Sequence, residues 1–301
     1  MVQLLCIGEA MAELRRDGDG FATSFAGDTF NTAVYCRRLL PDDGSVGYLS
    51  RIGRDPLSEG FLTLARAERI DISAIGQEAD RNIGIYSVQT DATGERSFHY
   101  WRGDSAARQL FRDPADLDAL ERADILCLSA ITLAIVAPEA RAALLSRLAA
   151  LRGAGARIAF DSNYRPRLWP DADTARDWIG RMWRLTDIAL PSADDEQALF
   201  GDSDEGAVLT RLRAWGCHSG ALKCGAKGPV PLDGTLASLP QFPPAPRIVD
   251  TTAAGDSFNG AYLAALLLGQ DEVTAMQWGH RTASEVIGRP GAIVALPPLQ
   301  A

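Results

Sequence analysis

The sequence predicts an α/β fold in which a mostly parallel sheet is covered by helices on both faces. From Asp124 onward, short apolar runs alternate with stretches of helical length, the pattern that builds parallel βα units. Runs such as Leu4-Leu5-Cys6-Ile7 read as buried strands, and Gly153-Ala154-Gly155 turns the chain from a helix into the next strand. Sheets of this kind bind ligands at the carboxyl ends of their strands, so residues just past each strand are the candidates for function.

Taken in order, residues 2–7 read as a buried strand, residues 29–40 as a helix after Gly27-Asp28, and residues 46–52 as a strand. Asp55-Pro56 caps a helix with Leu57, Phe61, Leu64 and Ala65 at helical spacing. Residues 83–90 and 95–102 are β-like runs joined by Asp91-Ala92-Thr93-Gly94. They predict a hairpin that breaks the βα rhythm, and so a lid or appended sheet outside the central one. The order then runs strand 125–128, helix 138–152, strand 157–160, helix 173–185, strand 188–190, helix 204–215, strand 221–223. Pro240, Pro243, Pro244 and Pro246 mark a loop, and residues 261–268 form a buried helix body. No repeat or low-complexity linker divides the 301 residues, enough for one large α/β domain or two small ones.

Composition removes several function classes. Hydrophobic residues make up 47% and charged residues 23%, as in a globular chain that stays in water. The 30 basic and 39 acidic side chains give a net charge of −9, which disfavours nucleic acid as a partner. No run is apolar and long enough to span a membrane, and the first residues lack the basic and apolar regions of a signal peptide. Five scattered cysteines suit reduced, buried thiols in a cytoplasmic protein; with three histidines and no CxxC pair, a zinc site is not expected.

The most informative stretch is Asp250-Thr251-Thr252-Ala253-Ala254-Gly255-Asp256-Ser257-Phe258-Asn259-Gly260. It places a carboxylate in the first turn of an apolar helix, where unbonded amides attract an anion. An anion cradle beside a carboxylate is what phosphoryl transfer to a hydroxyl requires. An acid at a helix start also complements the dipole, and Asp250 or Thr251 has the chemistry of an ordinary cap. Missing motifs narrow the field: the chain has no P-loop, no GxGxxG after its first strand, no GxSxG and no HExxH.

Other segments supply polar groups at strand ends. Lys223-Cys224-Gly225-Ala226-Lys227-Gly228 follows a strand and suits a nucleotide's phosphates or ribose, or else is a plain turn between strands. Phe98-His99-Tyr100-Trp101-Arg102 and Asp161-Ser162-Asn163-Tyr164-Arg165-Pro166 each bring an arginine to a sheet edge, where a pair can hold a carboxylate while Asn163 or Tyr100 reads hydroxyls. In Gly27-Asp28-Thr29-Phe30-Asn31, Asp28 is either the helix N-cap or, with Asn31, a partner for sugar hydroxyls.

These strings resemble the ribokinase-like (PfkB) carbohydrate kinases over essentially the whole chain. The resemblance rests on Gly8-Glu9, Ala26 to Thr32, Thr90 to Phe98, Tyr100-Trp101-Arg102, Asp161 to Trp169, and Asp250 to Phe258. The tyrosine–arginine and Asn-Tyr-Arg-Pro strings are most similar to the sugar-acid subgroup. It implies a ribokinase-like three-layer α/β/α domain over residues 1–301, its β-sheet lid built from about residues 9–25 and 83–102. It also implies ATP- and Mg2+-dependent phosphorylation of a sugar acid's terminal hydroxyl, with Asp256 as base and the amides of Ala254, Gly255 and Asp256 facing the phosphoryl group. Gly27, Asp28, Asn31, Tyr86, Tyr100, Arg102, Asn163 and Arg165 match substrate-contacting positions, the arginines serving the carboxylate. Ser192, Lys223, Gly225, Gly228, Ala253, His280 and Ser284 fall where the family holds ATP. A homo-oligomer paired through lid sheets is likewise implied.

Three departures stand out. Ala26-Gly27 replaces a usual glycine pair, and Ala253 stands where a glycine is frequent. Ser192-Ala193-Asp194-Asp195-Glu196 lacks the asparagine of the Asn-x-x-Glu string that organises magnesium, leaving Asp195 or Glu196 to act through water. The alternatives are a related kinase for a neutral sugar such as fructose, and a sugar-acid-binding protein without catalysis.

Overall fold

The computed structural model describes residues 2–90, 96–234 and 240–296; the expected turn at residues 91–94 lies outside them. The apolar run at the start forms β1 (Val2–Ile7), followed by a hairpin of β2 (Met11–Asp17) and β3 (Gly20–Ala26). Helix α1 (Asp28–Leu39) and strand β4 (Val46–Ile52) come next. Helix α2 (Pro56–Ala67) starts as expected: the Asp55 carboxylate accepts from the amides of Leu57 and Ser58, and Pro56 opens the first turn. The chain continues through β5 (Ile75–Gln77), β6 (Gly84–Thr90), β7 (Arg96–Trp101), α3 (Pro114–Asp118), β8 (Ala123–Ser129) and α4 (Ala130–Ile135). Then follow α5 (Pro138–Gly153), β9 (Arg157–Asp161), α6 (Ala172–Trp183), β10 (Ile188–Ala189), α7 (Ala193–Phe200) and α8 (Glu205–Ala214). Last come β11 (Ala221–Lys223), β12 (Pro229–Pro231), α9 (Ala254–Leu267) and α10 (Glu272–Ile287).

Six strands form one sheet in the order β10-β9-β8-β1-β4-β5, and every pairing in it is parallel. Strand geometry sends alternate side chains to opposite faces. Leu5, Ile7, Leu126, Leu128, Ile158 and Phe160 join α4 to α8 in one core. Leu4, Cys6, Ile125, Cys127 and Ala159 join α1, α2, α9 and α10 in the other. The result is three layers, α/β/α. Phe160 and Trp183 meet edge to face at 4.7 Å in the first core, and Phe30 and Phe61 at 4.8 Å in the second.

A second sheet, β3-β2-β6-β7, stands apart from the six strands and contains the expected hairpin. Its register puts Tyr86 opposite Tyr100, and Val88 opposite Phe98, on one face. On that face Met11, Ala26, Tyr86 and Val88 cluster with Ala292, and Phe98 and Ala253 pack against them. The small sheet is thereby seated over the start of α9. Strand β11 pairs antiparallel with β12, and isolated bridges join Gly220 to Ala189 and Lys223 to Ser192 beside the main sheet.

Two sequence expectations about helix ends are corrected. Asp28 is not the N-cap of α1: Gly27 holds that position with no side-chain cap, and the Asp28 carboxylate is drawn to Ser129 and Asn163. Neither Asp250 nor Thr251 caps α9. Ala253 stands there in a left-handed conformation with φ 61°, while the Asp250 carboxylate accepts from the amides of Thr252 and Gly291.

Candidate active site

The chain leaves β1 toward β4 on one side and returns through β8 and β9 on the other, so the strand order reverses beside β1. A crevice opens at the carboxyl ends of strands at such a switch point. Ser129 ends β8, Asp161 ends β9 and Asn163 follows it, while Asp28 and Asn31 begin α1. Asp256 enters from the first turn of α9, which packs along α1.

Their side chains form three hydrogen-bonded groups, linked where Thr32 Oγ1 donates to the Asp28 carbonyl at 3.1 Å and the Asn163 backbone amide to Asp161 Oδ1 at 3.1 Å. Asn31 Nδ2 donates to Asp256 Oδ2 at 2.8 Å, and Thr32 Oγ1 donates to the Asp256 carbonyl at 3.2 Å. Asp28 Oδ2 accepts from Ser129 Oγ and, at 2.9 Å, from Asn163 Nδ2. Lys223 Nζ donates to Asp161 Oδ2 at 2.7 Å and to Asn259 Oδ1 at 3.0 Å, and Asn259 Nδ2 closes the triangle on Asp161 at 2.6 Å. A Cβ placed on Gly255 would stand 3.5 Å from Lys223 Nζ, so the ammonium lies directly under the helix start.

Electrostatics single out Asp256. Burial, then the negative charge of Asp28, pushes its carboxyl up to about 8, against the pull of the Asn31 hydrogen bond and Lys223. Such a group is tuned for proton transfer near neutral pH. Of the three amides expected to face a phosphoryl group, that of Ala254 is bonded to the Thr251 carbonyl at 3.2 Å. Those of Gly255 and Asp256 have no acceptor among the described residues and remain available to an anion.

The remaining predicted residues fall into three groups. Tyr86 and Tyr100 stack at 5.8 Å on the inner face of the small sheet, with the Arg102 guanidinium 5.9 Å from the Tyr100 ring. The Tyr86 hydroxyl donates to Glu13, and Arg102 pairs with Glu9. Arg165 is half-exposed, donates to its neighbour's carbonyl, Tyr164 O, at 2.9 Å, and reaches Asp195 only at 3.5 Å. The two arginines thus have separate partners in this structure. At the far side of Lys223, Gly225 and Gly228 form the turn between β11 and β12, both with positive φ. This is a strand-to-strand turn that also presents Lys223 to the crevice. His280 donates to the Pro243 carbonyl at 2.7 Å, and Ser284 to the His280 carbonyl at 2.8 Å, which ties α10 to the proline loop behind that turn.

For magnesium, no group of three or more His, Cys, Asp or Glu among the described residues could enclose an ion. Glu196 is fully buried in an ion pair with Arg211 at 2.8 Å. Asp195 is partly exposed, and burial raises its carboxyl to about 6 despite Arg165. Of the two, Asp195 fits contact through water to an ion that phosphates hold.

Sequence reasoning assigned no role to Ser129, Asp161, Asn259 or Glu9. The first two end buried strands, and the strand-end rule would have found them. Asn259 is one helical turn beyond Asp256, and only packing reveals that it faces Lys223.

A family model described as pfkB family carbohydrate kinase matches residues 1–299. The chain is 40% identical over 303 residues to the 2-dehydro-3-deoxygluconokinase of Dickeya dadantii (strain 3937), covering 98% of this chain and 97% of that protein. It is 38% identical over 299 residues to the protein of that name from Escherichia coli (strain K12), covering 97% of each. Among solved structures, the aminoimidazole riboside kinase of Salmonella enterica, complexed with aminoimidazole riboside and an ATP analog, aligns with a TM-score of 0.81 at 26% identity, over 98% of this chain and 96% of that one.

Proposed function

The chain belongs to the pfkB family of carbohydrate kinases and has their ribokinase-like fold, and on that premise we propose that it phosphorylates 2-keto-3-deoxy-D-gluconate. This compound, also called 2-dehydro-3-deoxygluconate, would receive the γ-phosphoryl group of ATP on its terminal hydroxyl, giving 2-keto-3-deoxy-6-phosphogluconate. One observation supports the chemistry above others: Asp256, its carboxyl raised to about 8, is held by Asn31 beside two unbonded amides and the Lys223 ammonium.

In this reading Asp256 accepts the hydroxyl proton as the oxygen forms its bond to phosphorus, and ADP departs with the electrons of the broken P–O bond. The amides of Gly255 and Asp256, with Lys223, stabilise the charge on the phosphoryl oxygens. Asp28, Asn31 and Asn163 present a line of acceptors and donors to the sugar's hydroxyls, closed by Gly27 and Tyr100. Arg102 and Arg165 supply positive charge for the carboxylate, each from its own side of the crevice, and Tyr86 backs Tyr100. Ser192, Gly225, Gly228, Ala253, His280 and Ser284 surround the nucleotide. Asp195 would be the side chain to meet a magnesium ion held by the phosphates, and such an ion would supply positive charge against them.

The small sheet acts as a lid over this site, and its other face supports a homo-oligomer. Trp101 and Phe21 lie on that face 61% and 57% exposed, on its two edge strands. No helix among the described residues is long and apolar enough to cross a membrane, and a cytoplasmic location accords with the five free thiols.

The test is ADP release measured over 2-keto-3-deoxy sugar acids and neutral ketoses such as fructose. Turnover confined to the sugar acids is expected. A preference for fructose would turn the reading toward a neutral-sugar kinase, and no release with any sugar toward a binding protein.

A further inference from the structure

The small sheet joins the body of the protein at four places: residues 8–10 before β2, 26–27 after β3, 82–84 before β6 and 102–105 after β7. One residue meets all four. Glu9 lies in the first connection and is 1% exposed. In the second, a Cβ on Gly27 would overlap the Glu9 carbonyl oxygen. In the third, a Cβ on Gly84 would stand 2.8 Å from Glu9 Oε1. In the fourth, Ser105 Oγ donates to Oε1 and Arg102 Nη2 to Oε2. Gly84 therefore makes room for the Glu9 carboxylate, and Gly27 for the Glu9 backbone. The buried Nε of Arg102 has no partner among the described residues. The chemistry proposed above makes no use of Glu9.

We infer that Glu9 is a positioning residue whose carboxylate pins the third and fourth connections of the small sheet to the first and, through Arg102, sets how the sugar acid's carboxylate is met. The inference rests on the kinase reading. Charge and length both matter here. Pairing through one nitrogen fixes the guanidinium in place while leaving Nε for a second anion. A neutral side chain of the same shape leaves Arg102 buried without its counter-charge, and the guanidinium then departs from its seat. With the pin gone, the sheet seats less firmly over α9 and admits water to the phosphoryl group.

The experiment first establishes that the unaltered protein phosphorylates 2-keto-3-deoxygluconate; failure at that step counts against the kinase reading and not against Glu9. Glu9→Gln and the milder Ser105→Ala are then compared by sugar-acid KM, ATP KM, and the ratio of ADP formed to sugar acid phosphorylated. For Glu9→Gln the expected result is a sugar-acid KM raised about tenfold to 100-fold, an ATP KM changed less than about twofold, and a ratio well above one. Ser105→Ala should move the same quantities in the same direction by a smaller factor. Equal changes in both KM values, or a fall in kcat with the ratio still at one, would mean a merely structural role and overturn the inference. If Glu9→Gln does not fold, Ser105→Ala decides: an unchanged sugar-acid KM and ratio overturn it.

Discussion

At the scale of single residues, Asp256 carries opposing demands. Burial, and then the charges of Asp28 and Asp161, make its ionised form unfavourable, which is why the proton is held to about pH 8. In the unfolded chain the same group ionises near its ordinary value of about 4. Because the folded value is the higher one, its contribution to stability is fully present at low pH and is lost as pH rises from about 4 to 8. Asp256→Asn removes that loss and keeps an oxygen to accept from Asn31. The variant should therefore be more stable than the natural chain at pH 8 by about 1–3 kcal/mol, with the difference vanishing toward pH 4, as read by urea denaturation. Its turnover should fall by about two to four orders of magnitude while an ATP analog still binds in calorimetry. Asp28→Asn tests the electrostatic cause separately. Removing the neighbouring negative charge lets Asp256 ionise at lower pH, so the acid limb of the kcat profile should move down by about one unit. An unmoved limb would assign the titration to another group.

Among the elements, the α9 turn shows how a local compromise serves a ligand. Ala253 holds a left-handed φ of 61° that costs an L-residue about 1–2 kcal/mol, and the turn it creates leaves the next amides facing the crevice. Ala253→Gly should raise stability by about 1 kcal/mol in equilibrium denaturation, with the amide geometry retained. Destabilisation instead would show that the Ala253 methyl group, packed against the small sheet, matters more than backbone strain. The same contrast explains which elements were legible in the sequence. Strands β1, β4, β8, β9 and β10 were readable because burial on both sides gives continuous apolar runs, whereas the three-residue β5 and the short helices α3, α4 and α7 were not assigned. Strands β2 and β3 were not readable from their residues: Glu13, Arg15, Arg16 and Asp17 interrupt any apolar alternation, and most of β3 is exposed. Helix α10 went unassigned as well, since its buried positions are filled by Ala275, Gly279 and Thr282 as much as by Met276 and Val286. The ends of α1 and α9 were misjudged because Asp28 and Asp250 satisfy distant partners, which local capping preference does not register.

Over the whole molecule, topology decides what the sequence can disclose about function. Asp28, Asn31, Asn163 and Asp256 could be named in advance because each adjoins a strand end or helix start, and parallel winding carries all such ends to one crevice. Arg102 and Arg165 have the right chemistry, but sequence says nothing of Glu9 and Asp195, their partners across the fold. The small sheet poses a related question at its outer face. One side of this sheet is seated on α9, while Trp101, Phe21 and the exposed edge of β3 face outward. On that outer face Phe25 meets Phe61 of α2 at 6.3 Å, while Trp101, in the same cross-strand row on the opposite edge strand, and Phe21, at the distal end, stay uncovered. Burying it against the same face of a second copy would remove two tryptophans and two phenylalanines from water and close the contact by two-fold symmetry. Sedimentation equilibrium of the natural chain should then give twice the 32.3 kDa chain mass at micromolar concentration. Trp101→Glu places like charges across the symmetry axis and should shift the protein toward monomer, without loss of its helical circular dichroism. A natural chain that sediments as monomer throughout would show that water alone covers this face.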